Sequence, residues 1–93
     1  MIQIWDKYKI IKENKEEILY ALKIAYDNID TNIVNKIWKI SYIGDIYKNK
    51  DLSYFNLRDV LFDYECDWYI IALWLNEVQK VKEKPKYIKN NLQ

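Results

Sequence analysis

Apolar residues toward the C-terminal end keep one unbroken heptad register: Leu57, Leu61, Tyr64, Trp68, Ile71, Leu75 and Val78, at spacings of 4, 3, 4, 3, 4 and 3. At that spacing all seven share one side of an α-helix of about six turns, a stripe that other helices or a partner must cover. Pro85 cannot continue such a helix and disfavours α conformation at Lys84, so the helix ends near residue 83. Ile4, Tyr8, Ile11, Ile18, Leu22, Ala25 and Ile29 recur at similar intervals, with Lys15 the one polar interruption. Asn14 with Glu17 three residues on has the form of a capping box, which predicts a short helix and then a longer one from about 15 to 28. Asp27, Asn28, Asp30, Thr31 and Asn32 follow as a polar joint.

The middle segment carries two patterns at once. Ile33, Ile37, Ile40, Gly44 and Tyr47 suit one helix face, whereas Trp38, Ile40 and Tyr42 alternate with Lys39 and Ser41 before Gly44-Asp45. The helical pattern is preferred here. The fold class predicted is therefore all-α: a small bundle of three or four helices with a long C-terminal helix over about 53–83. A short β-hairpin near 37–47 is the alternative for the middle. Residues 1–84 make a single helical domain in this reading and 85–93 a basic C-terminal tail.

Composition narrows the chemistry more than the architecture. The 93 residues are 51% apolar with four Trp, nine Tyr and two Phe, a makeup that excludes disorder and supports one core. Ile, Lys, Asn and Tyr fill 47 of the 93 positions and Lys outnumbers Arg fourteen to one, a bias that matches AT-rich codons and hence a low-GC bacterium, its phage or a plasmid. Histidine is absent and Cys66 is the single cysteine, so neither an internal disulfide nor a thiolate and imidazole zinc cage can form. No metal or cofactor is expected. The first residues lack the basic and apolar regions of a secretory signal, and the longest apolar run, Trp68 to Leu75, is eight residues where a membrane span needs about twenty. A reducing, cytoplasmic setting is the expectation.

Candidate catalytic groups are few. Cys66 lies between Glu65 and Asp67, which disfavours the thiolate, so it reads as buried filler. With one glycine no glycine-rich phosphate cradle can be built. Asp59, Asp63 and Asp67 stand at i, i+4 and i+8, with Glu77 further along the same band, but no second acidic cluster accompanies them to suggest hydrolysis or cation binding. No enzymatic activity is predicted.

Net charge is +1, yet it is unevenly spread. Residues 51–79 carry Arg58 against six acids, and residues 80–93 carry five Lys against Glu83. On the predicted long helix a second apolar row, Phe55, Phe62, Cys66, Tyr69 and Leu73, faces away from the heptad row, with Asp59, Asp63, Asp67 and Glu77 between the two. These nine residues are the predicted partner-binding set. The function expected is a non-catalytic small helical protein that binds and modulates or inhibits another macromolecule, a protein with a basic surface. Its concrete forms are a phage- or plasmid-encoded inhibitor of host defence, or an immunity-type protein acting by surface occlusion. Two alternatives stand beside it. One is a nucleic-acid-binding regulator with a degenerate helix-turn-helix from residues 15–28 and 33–47, contacting phosphates through Lys80, Lys82, Lys84, Lys86, Tyr87 and Lys89. The other is a structural homo-oligomer.

Overall fold

The computed structural model describes residues 2–82, and its backbone is a five-stranded antiparallel sheet with one α-helix. The strands are β1 (Lys7–Ile10), β2 (Ile37–Tyr42), β3 (Leu61–Cys66), β4 (Tyr69–Trp74) and β5 (Val78–Lys80), in the spatial order β4-β3-β2-β1-β5. The helix, α1 (Lys15–Ala25), lies between β1 and β2 in sequence. The all-α bundle predicted from the heptad register is thereby overturned, and with it the long helix over 53–83.

The physical reason lies in a second periodicity. Phe62, Tyr64 and Cys66 alternate with Asp63 and Glu65, and in β3 the first set is buried while the second points outward. Asp67 and Trp68 then turn the chain, Asp67 taking a left-handed φ of 55°, so that Cys66 pairs with Tyr69 and Leu61 with Trp74. The heptad row was a splice of unrelated environments. Tyr64 lies in the core, Leu61 faces outward, Leu75 sits in a 3₁₀ turn, and Trp68 stands in the hairpin turn 90% exposed.

The other predictions divide. The helix expected over 15–28 exists as α1, but the Asn14 side chain makes no cap hydrogen bond, and residues 7–10, assigned to a preceding helix, are β1. In the middle segment, Trp38 and Ile40 are buried and alternate with exposed Lys39, as a strand requires. That strand pairs with β1 and β3, with a register shift between Ile40 and Tyr42, so the 37–47 hairpin does not form either. The polar joint is present: Asn28 adopts a φ of 56°, and the Asp30 carboxylate accepts from the Asn32 N–H at 2.9 Å to start the 3₁₀ turn Thr31–Asn35.

Strand order and loop length together fix the curvature. β4 and β5 are the two edges, yet only Leu75–Glu77 separate them. A flat sheet would hold them about 19 Å apart, four spacings of ~4.8 Å, whereas the chain from Trp74 to Val78 reaches at most about 14 Å. The sheet therefore curls into a partly open barrel that brings the end of β4 beside the start of β5. Its interior holds Tyr8, Ile10, Trp38, Ile40, Phe62, Tyr64, Cys66, Leu73 and Val78. Ile18 and Leu22 of α1, with Ile33 and Val34, cover part of this core, and Ile43, Tyr47, Leu52, Phe55 and Val60 from the β2–β3 connection cover the rest. The Trp38 indole N–H is satisfied inside the core by the Ile33 carbonyl at 3.1 Å. No helix among the described residues is long and apolar enough to cross a membrane.

Candidate interaction surface

Antiparallel pairing sends alternate side chains to the outer surface of the curled sheet. Leu61 lies directly across from Trp74, Asp63 from Ala72, and Glu65 from Ile70, while the register shift in β2 sets Tyr42 opposite Asp63. Tyr42 (58%), Ile70 (49%), Trp74 (42%) and Leu61 (37%) are all exposed. They form a contiguous apolar and aromatic patch around Asp63, with Glu65 on its flank. Direct cross-strand neighbours sit within about 5.5 Å at Cβ; that joins Leu61 to Trp74, while Tyr42 and Ile70 are joined to the same face through Asp63 and Glu65, which they oppose. Large apolar groups left together at the surface, after the core has been completed elsewhere, are the usual mark of an interaction site.

The nine residues predicted to bind a partner are not brought together on one face. Phe62, Cys66 and Leu73 are in the core, and Phe55 and Tyr69 are half-buried, their rings against Tyr47 (5.9 Å) and Tyr26 (4.9 Å). The acidic ridge disperses with the helix that defined it. Asp59 is exposed in a 3₁₀ turn, and its carbonyl accepts from the Tyr47 hydroxyl at 2.9 Å. Asp67 holds Lys36 at 3.0 Å, and Glu77 accepts from the Trp74 N–H at 2.8 Å through Oε1. Only Asp63 belongs to the outer patch. Of the predicted nucleic-acid set, Lys80 pairs with Asp6 at 3.5 Å and Lys82 is exposed, whereas Lys84, Lys86, Tyr87 and Lys89 lie outside the described residues.

Trp5, Tyr42, Leu61, Ile70 and Trp74 were not singled out from sequence as site residues. The available signal was β4 itself: Tyr69-Ile70-Ile71-Ala72-Leu73-Trp74 is apolar at every position, although one face of an edge strand ordinarily meets water. Its inward side, with Leu73 buried, is core, and its outward side is Ile70, Ala72 and Trp74.

The electrostatics do not poise Cys66 as a nucleophile. Burial, and then Asp67, pushes the Cys66 thiol up, against smaller opposing effects from Lys36 and Lys39. Lys36 is raised by its hydrogen bond to Asp67 and then by that residue's charge. Among the described residues no group of three or more His, Cys, Asp or Glu is placed to hold a metal ion. The outer surface thus defines a β-sheet protein with an exposed aromatic patch, one carboxylate at its centre and a second on its flank. Comparison with protein-family models, with curated proteins and with solved structures gives no match.

Proposed function

We propose that this protein is a non-catalytic binding protein that engages another protein through the outer surface of β2, β3 and β4, and acts by occupying that partner's surface. The observation that carries the reading is the contiguity of Tyr42, Leu61, Ile70 and Trp74 on a sheet whose core is complete without them. Trp and Tyr are the side chains that most often dominate binding energy, because they desolvate a large area with few rotors to freeze. Asp63 at the centre and Glu65 beside it favour a partner that presents a cation inside an apolar rim. The reduced thiol of Cys66 suits a reducing compartment, and the cytoplasm is the proposed setting.

A photo-reactive residue installed at Leu61 or Ile70, in cells of the native source, tests this directly. A defined protein adduct is expected at these positions and not at Tyr20 or Ile24, which are more open still but lie on α1. Tyr42→Glu with Trp74→Glu should abolish the adduct without unfolding the chain. Equal labelling at α1, or an adduct that survives the double substitution, sinks the proposal.

A further inference from the structure

Most carboxylates around the sheet have a cation at hand. Asp6, Asp45 and Asp67 pair with Lys80, Lys48 and Lys36, and Glu65 faces Lys39 across β2–β3. Lys39 and Glu65 also line, with Trp5, a shallow depression beside the apolar patch, so this pair closes the patch on that side. Asp63 is the exception. It is half-buried at the centre of the patch, with Tyr42 opposite on β2 and Ala72 opposite on β4, and among the described residues no cation or hydrogen-bond donor engages it.

Covering the patch forces the issue. A partner that takes Tyr42, Leu61, Ile70 and Trp74 out of water takes Asp63 with them, and a carboxylate stripped of water without new donors opposes binding strongly. The partner must therefore bring a cation to this one point of an otherwise apolar contact. Ala72 provides the room for it. Its side chain is a single methyl, and its neighbours two positions away on the same face of β4 are the large Ile70 and Trp74. Both lie diagonally from Asp63, at about 7–8 Å in a sheet, within reach of a group seated over Ala72.

A guanidinium meets these conditions together. Its fork donates two parallel N–H bonds to the two oxygens of one carboxylate, its flat face stacks on an aromatic ring, and it is less strongly hydrated than an ammonium. A lysine brings a compact, heavily hydrated charge that matches neither the paired oxygens nor the apolar walls. We infer that the partner presents one arginine side chain to this surface, seated over Ala72, bidentate on Asp63 and stacked against Trp74. The inference rests on the protein-binding reading of the same patch and names the group that the patch recognises.

The test uses three capped tripeptides, acetyl-Leu-Xaa-Leu-amide with arginine, lysine or citrulline in the middle, titrated into the full chain. Citrulline keeps the shape of arginine and lacks its charge. The readout is the Trp74 indole N–H in proton–nitrogen correlation spectra, assigned by its loss in Trp74→Phe. A saturable shift is expected with the arginine peptide, and affinity at least about tenfold lower for the citrulline peptide, the weight of a hydrogen bond to a charged group. The lysine peptide should fall between them. Asp63→Asn, shown to be folded by thermal melting, should lose the preference for arginine over citrulline. No shift at Trp74, equal affinity for arginine and citrulline or for arginine and lysine, or a preference that survives Asp63→Asn, each overturns the inference. The reading beneath it fails separately. A cross-linked adduct at Leu61 that persists undiminished in Asp63→Asn leaves a protein-binding surface without the arginine, whereas absence of any wild-type adduct removes both.

Discussion

The Tyr26 hydroxyl occupies both backbone hydrogen-bonding groups of Ile70, donating to its carbonyl at 3.0 Å and accepting from its N–H at 3.1 Å. Ile70 is on β4, an edge strand, so these groups would otherwise offer a template for another strand. Four residues along the same edge, the Trp74 N–H is taken by Glu77 Oε1. The residue just past the end of α1 and the turn before β5 thus blunt a strand that is apolar on both faces. In the proposed reading, this cover directs recognition to the sheet's outer surface and away from its edge.

Tyr26→Phe keeps the ring beside Tyr69 and deletes only the hydroxyl. The expected loss of stability is about 1 kcal/mol, the net worth of ordinary hydrogen bonds, read from urea unfolding. Sedimentation velocity should show more concentration-dependent association than wild type. A variant with the stability and association state of wild type would mean that the hydroxyl protects nothing.

How legible was this fold in the sequence? The helix at 15–25 was, because Ile18 and Leu22 keep helical spacing after acidic residues suited to a first turn. The sheet was not, and Leu57 to Val78 shows why. Two six-residue strands joined by a two-residue turn repeat every eight residues, close enough to a heptad that Tyr64, Trp68 and Ile71 line up by accident. Local pattern could have favoured β3, since Phe62, Tyr64 and Cys66 alternate with acids, but β4 has no polar face to alternate with. The candidate surface was harder still. Tyr42 comes opposite Asp63 only through a register shift in β2, and a register is a property of two strands.

Trp68 and Leu73 separate the helical and sheet readings most sharply. A long helix buries Trp68, and Trp68→Asp should then unfold the chain. In the sheet Trp68 projects from the hairpin turn, so Trp68→Asp is expected to change stability by no more than about 0.5 kcal/mol. Leu73, 2% exposed, should cost about 2–5 kcal/mol on substitution by Ala. Chemical denaturation of the two variants decides between them, and a strongly destabilised Trp68→Asp would contradict the hairpin.

Tyr64 is fully buried and its hydroxyl finds no hydrogen-bond partner among the described residues. A buried polar group left unsatisfied costs about 1–3 kcal/mol, while the ring contributes through edge contacts with Tyr8 at 5.5 Å and a tilted contact with Phe62 at 6.4 Å. Tyr64→Phe retains those contacts and removes the cost. A gain of about 1 kcal/mol is expected, seen as a higher urea midpoint with an unchanged slope. Destabilisation would show that the hydroxyl has a partner after all.

Tyr8 and Tyr64 also set the behaviour of the fold at alkaline pH. Tyr8 is pushed up to about 12 by burial and secondarily by Asp6, and Tyr64 is raised by burial, then by Tyr8 and Glu77. An unfolded tyrosine ionises near pH 10, so the folded chain holds these protons more tightly than the unfolded one. Their stabilisation is fully present below pH 10 and is lost as pH rises through about 12. For Tyr8 alone the difference between the two states corresponds to about 3 kcal/mol. Urea midpoints measured between pH 9 and 12 should fall steeply over the upper part of that range. The same series on Tyr8→Phe with Tyr64→Phe should fall much less, since neither ring then has a proton to lose. Identical pH slopes in the two proteins would place the alkaline sensitivity elsewhere and remove these phenols from the account.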